Sequence, residues 1–145
     1  NFTPVEAMGL FAGAWLADRR LAYLIPLLAM ALADVVIGLH SGMPVIYALI
    51  AFNVWLGQRM GPDPGALRVA GNGLLAASVF FIVSNFAVWA SGGGHDYSRD
   101  LSGLIACYVA AIPFFGYTLL GMASYCTLLF GGMAWARRRQ QTAAA

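Results

Sequence analysis

Lysine is absent from this chain of 145 residues, so all eight basic residues are arginine. Charge of either sign is scarce. Charged residues make up 10% of the sequence and hydrophobic ones 61%, whereas a soluble domain carries about 25% charged residues. A water-soluble domain is excluded on that count, because too little polar side chain remains to cover its surface. Cysteine is nearly missing too. Cys107 and Cys126 stand in apolar stretches with no CxxC and no histidine at ligand spacing, so they read as buried thiols ahead of a disulfide or metal site. The motifs of common chemistries are also lacking. No GxxxxGK[ST] loop, GxSxG elbow, HExxH helix or serine–histidine arrangement occurs, so neither nucleotide hydrolysis nor a known hydrolase chemistry is indicated. Gly92–Gly94 has no helix cap behind it and is not a phosphate cradle. The sequence therefore predicts no enzyme, no bound metal and no identifiable cofactor.

What is present is an alternation of apolar runs and arginine-bearing connections. Arg19 and Arg20 follow the first run, Arg59 and Arg68 bracket the connection after the third, and Arg137, Arg138 and Arg139 follow the last. Seven of the eight arginines, all but Arg99, thus fall on one side of successive spans, the positive-inside signature of a polytopic membrane protein. The same placement argues against a nucleic-acid partner and names the lipid bilayer instead. A span takes about 20 residues, so the expected fold is all-α: a membrane bundle of about five to six helices, with short or re-entrant segments. Residues 1–136 form one transmembrane domain in this reading, and 137–145 a basic, disordered cytoplasmic tail.

The runs have readable ends. Thr3, Pro4 and Glu6 are placed as a capping box for a first helix over Val5–Ala17, with Thr3 as cap and Glu6 three residues on. That helix carries Gly9, Gly13 and Ala17, a small-residue face suited to close packing in lipid. It serves either intramolecular packing or docking of a partner. Asp18-Arg19-Arg20 is a tight turn assigned to the cytoplasm. Leu21–Leu39 then crosses outward, Pro44–Gln58 returns, and Leu67–Ser91 crosses outward again. Gly61-Pro62-Asp63-Pro64-Gly65 is a loop.

Leu101–Ala136, at 36 residues, is too long for one ordinary span. Two complete spans broken at Pro113 would put the three terminal arginines outside. The charge pattern therefore favours one span over Tyr117–Ala136, with Leu101–Ile112 as a short re-entrant or interfacial helix. By the same bookkeeping Asn1 lies outside, which predicts a further helix or a cleaved signal peptide upstream. A helix is favoured, because it makes about six crossings with both ends cytoplasmic.

Ionisable groups inside a bilayer are costly and mark bundle interiors or cavities. Asp34 and Asn85 lie toward the external ends of their spans, Glu6 starts a helix on that side, and His40 and His95 occupy external turns. Trp89 stands at the same mouth. Glu6, Asp34, His40, Asn85, Trp89 and His95 are thus the candidate ligand-binding set. Asp34 and Asn85 have a structural alternative as hydrogen-bonding glue between helices, and Glu6 one as a capping carboxylate. The terminal arginines anchor the last helix at anionic headgroups.

A resemblance is carried by longer strings. Asn1-Phe2-Thr3-Pro4-Val5-Glu6-Ala7, Ala17-Asp18-Arg19-Arg20-Leu21-Ala22, Leu32-Ala33-Asp34, Phe80-Phe81 with Ser84-Asn85-Phe86 and Trp89, and Ala106-Cys107-Tyr108-Val109-Ala110-Ala111-Ile112-Pro113-Phe114-Phe115 span nearly the whole chain. Together they resemble a family of small bacterial membrane proteins with no assigned reaction. Its members carry a further apolar helix before the Asn-Phe-Thr-Pro string. In size and helix pattern that family is distantly similar to the S components of energy-coupling factor transporters. The resemblance implies a multi-pass protein of the bacterial inner membrane that captures a vitamin-like molecule or a metal on its outer face. A scaffold protein and ATPases would be its partners. The alternative is a non-catalytic accessory subunit of a larger photosynthetic or respiratory complex.

Overall fold

The computed structural model describes residues 2–92 and 97–143. Five helices follow in chain order, and no strand occurs among the described residues. They are α1, Val5–Trp15; α2, Arg19–Ile37; α3, Met43–Met60; α4, Ala66–Ala90; and α5, Leu101–Ala143. Three of them, α2, α4 and α5, are long and apolar enough to cross a membrane. The all-α membrane fold read from composition is the fold observed.

Helix ends follow local chemistry. Asp18 caps α2, its Oδ1 accepting from the amides of Arg20 at 2.8 Å and Leu21 at 3.4 Å. Such a side-chain acceptor satisfies amides that have no intrahelical partner. Asp100 caps α5 in the same way, accepting from the Gly103 amide at 2.8 Å and from the hydroxyls of Ser98 and Ser102. The helix α1 is different. Pro4 occupies its cap position and no side chain caps it, so the predicted Thr3–Glu6 capping box does not form. At 11 residues α1 is about 16 Å long, roughly half the hydrocarbon thickness of about 30 Å. It ends at Trp15, and Ala17 lies exposed in the turn beyond it rather than on the helix.

The largest departure is α5. It runs through Pro113 without a break, takes one π turn at Thr127–Gly131, and continues as α-helix from Gly132 to Ala143. Leu101–Ile112 is therefore neither re-entrant nor folded back, and no second span begins at Pro113. A proline removes one helical hydrogen bond, and membrane helices tolerate it where neighbouring helices, hydroxyl side chains or local adjustment satisfy the freed carbonyl. The predicted disordered tail is corrected as well, since Arg137–Ala143 are helical. At 43 residues α5 measures about 64 Å, about twice the hydrocarbon thickness of about 30 Å.

Packing gathers the helices around α1 and α3. The two run side by side in the same direction, with Gly9 against Ile50 and Asn53, and Gly13 against Val54 and Gln58. Ala7, Leu10, Ala14, Leu56 and Met60 form the core with Met122 and Phe130 of α5. The arginine-bearing segments collect at one end, except Arg99, which lies beside Gly92 past the end of α4. The Arg137 guanidinium lies 3.9 Å from the centre of the Trp15 ring and 4.0 Å from the Asp63 carboxylate. Arg68 donates to the Arg59 carbonyl at 3.0 Å. The unbroken course of α5 thus brings the terminal arginines to the same end as Trp15 and Asp63.

Candidate functional site

Opposite the basic end, α2 and α3 meet at a short turn. Gly38 ends α2 with φ +114, a left-handed conformation in which a Cβ is strained. The chain thereby folds back and carries His40 over the last turn of α2. His40 Nε2 comes within 3.7 Å of Asp34 Oδ1. Across the hairpin, the Tyr47 hydroxyl donates to Asp34 Oδ2 at 2.8 Å. Asp34 is 1% exposed although it stands near the end of an apolar helix. Its Oδ1 accepts no hydrogen bond from any described residue. A buried carboxylate with one oxygen satisfied and the other open is an acceptor held ready for a donor or a cation.

Asn53 lies deeper on α3, where Gly9 packs on its Cβ side. It is 1% exposed, and neither of its amide atoms has a partner among the described residues. Glu6, three residues before Gly9, is largely buried in the first turn of α1. His40 and Tyr47 each approach Asp34, one at each carboxylate oxygen, and Glu6 and Asn53 belong to α1 and α3, which pack on each other.

Asn85 and Trp89 fall elsewhere. Asn85 donates to the Phe81 carbonyl of its own helix at 2.7 Å. It lines a 190 Å³ cavity between α4 and α5 with Ser84, Phe81, Phe115 and Thr118. The Ser84 and Thr118 hydroxyls also donate to carbonyls four residues back in their own helices, the usual way such groups are satisfied in apolar surroundings. Trp89 donates its Nε1 hydrogen to the Ser98 carbonyl at 3.0 Å, tying the end of α4 to the start of α5. The structure therefore divides the predicted set: Asp34 and His40 come together on α2 and its turn, while Asn85 lines a cavity that includes neither. His95 lies outside the described residues. Gly9 and Gly13 face α3, and an added Cβ at Gly13 would overlap the Val54 carbonyl oxygen, so this face is covered within the chain.

Tyr47 is the residue that sequence reading missed. Asp34 is three residues from the end of α2 and Tyr47 four from the start of α3. Distances from a tight turn that differ by one residue put two residues of an antiparallel helix pair at nearly one level, a signal present in the sequence. Cys107 and Cys126 are free and buried. Nineteen residues of one helix separate them by about 28 Å, beyond disulfide reach.

No curated protein and no solved structure matches the chain. The family match covers residues 1–144, and the chain belongs to DUF6580, a family of unknown function.

Proposed function

We propose that this protein is a non-catalytic membrane subunit that binds a small molecule at Asp34, with His40 and Tyr47 completing the contact. The supporting observation is the open Oδ1 of a carboxylate buried near the end of an apolar helix. Holding a carboxylate there costs several kcal/mol unless something answers it. Tyr47 answers one oxygen and His40 stands slightly too far to bond the other. A ligand bringing a protonated amine, another strong donor or a metal cation would answer the open oxygen once the exposed His40 side chain gives way. His40 is exposed, so this position opens toward solvent.

In the finer reading, the chain is the substrate-capturing component of a transporter of the energy-coupling type. It sits in a bacterial inner membrane with its C-terminus cytoplasmic and works with a scaffold and ATPases. The arginines gathered at one end support that orientation. With Gly9 and Gly13 covered by α3, a scaffold would dock on another helix face.

Thermal unfolding of purified protein with a panel of vitamin-like amines and divalent metals tests the reading. One ligand is expected to raise the midpoint, Asp34→Ala to abolish the shift and Tyr47→Phe to weaken it. A ligand that stabilises the wild type and Asp34→Ala equally removes Asp34 from the site. The rival, an accessory subunit of a larger complex, predicts co-purification at fixed stoichiometry in mild detergent, and recovery as a free monomer counts against it.

A further inference from the structure

A second cavity of 560 Å³ lies between α4 and α5, in the half of the bundle nearest the arginines. Its α5 wall runs from Leu119 to Ala134, fifteen residues or about 22 Å. One leaflet of hydrocarbon is about 15 Å deep, so the groove is as long as one leaflet with part of its interface. The walls are apolar and largely small, with Ala70 and Gly73 on α4 facing Ala123, Gly131 and Ala134 on α5. The π turn at Thr127–Gly131 forms part of this wall. Such turns widen a helix locally and recur at functional positions.

The charge at the groove's mouth identifies its occupant. On α5, Arg137 and Arg138 stand three and four residues beyond Ala134, the spacing that continues one helix face. On the other wall, Pro64 and Ala66 border the mouth beside Arg68, whose guanidinium reaches the Arg59 carbonyl. Asp63 is the one carboxylate in this rim, 4.0 Å from Arg137 and 77% exposed, and an exposed pair of that length leaves the excess positive charge in place. A long apolar slot ending under a cluster of arginines matches a molecule with an acyl chain and an anionic head.

We propose that the α4–α5 groove is a site for one anionic phospholipid, its acyl chain between Ala70 and Gly131 and its phosphate at Arg137, Arg138 and Arg68. This proposal does not depend on the Asp34 site, which lies at the other end of the bundle.

Native mass spectrometry of the full chain, released from nanodiscs of equal phosphatidylglycerol and phosphatidylcholine, tests it. The wild type should retain one phosphatidylglycerol in preference to phosphatidylcholine. The variant A70L/G131L fills the groove from both walls. Both positions are exposed and an added Cβ at Gly131 meets nothing within 4 Å, so the variant should fold and lose the retained lipid. The variant R137Q/R138Q keeps the slot and should hold lipid with its headgroup preference reduced by up to about 25-fold, at about fivefold per arginine. Equal retention by wild type and A70L/G131L, a preference unchanged in R137Q/R138Q, a wild type without lipid, or a second polypeptide found in place of the lipid would overturn the proposal.

Discussion

The α1–α3 seam and the α4–α5 seam use the same small residues with opposite results. Along α1 and α3, Gly9, Gly13 and Gly57 let two backbones meet so closely that a Cβ at Gly13 or Gly57 would overlap a carbonyl of the other helix. Along α4 and α5, Gly73 packs on Met122, 3.2 Å from an added Cβ, with side chain rather than backbone opposite, while Gly131 in the groove wall and Gly71 and Gly116 on exposed faces have nothing within 4 Å. The lower half of that seam holds a groove. Helix association in lipid is driven by packing contact, so the first seam is a permanent joint and the second a surface with room left in it. A glycine in a membrane helix does not reveal its role until its neighbour is known.

The comparison can be broken most directly at Gly13. Gly13→Ala forces α1 off α3 and should destabilise by about 3 kcal/mol, the upper part of the usual overpacking range, read as a fall in the thermal midpoint in detergent. A midpoint equal to wild type would mean that the seam is not closed. The polar contact beside that joint is the next target. Tyr47→Phe leaves Asp34 without its hydroxyl donor and should cost about 1 kcal/mol, measured by the same melt. Asp34→Asn with Tyr47→Phe should recover part of the loss, because the remaining group is then neutral.

At the exposed glycines of α4 and α5 the sign reverses. Gly71→Ala and Gly116→Ala meet nothing and raise helix propensity, so each should stabilise by up to about 1 kcal/mol. A loss at either position would show that something covers it in the membrane. The smallest effect belongs to the cap that starts α5. Hydrogen bonds from the Gly103 amide and from Ser102 and Ser98 hold the Asp100 carboxyl down to about 2, below its ordinary 3.8. A lowered carboxyl stabilises the folded form fully above the ordinary value and loses that contribution as pH falls through about 2. The protection factor of the Gly103 amide, its exchange rate divided into the intrinsic rate at the same pH, should therefore be high at neutral pH and fall toward pH 2. Asp100→Ala should keep it low throughout.

Much of the helix layout was legible in the chain. Leu21–Leu39, Pro44–Gln58 and Leu67–Ser91 fall within two residues of the observed α2, α3 and α4 at every end, because Asp18, Gly38 and the Gly61–Gly65 loop stop helices by local means. The reading failed at Pro113, since proline's penalty depends on surroundings that a sequence pattern does not contain. It failed also at Thr3, where Pro4 took the cap. The candidate site was half legible: burial cost singled out Asp34, but its pairing with Tyr47 needed the hairpin.

By itself the sequence determined that the helices suit lipid, because so few side chains carry charge, and it placed most of the arginines in the connections between apolar runs. Tertiary structure alone decided which glycines close a joint and which border a groove, and that Asp34 and Asn85 serve different helix pairs. Those outcomes depend on contacts between distant segments, which periodicity and composition do not encode.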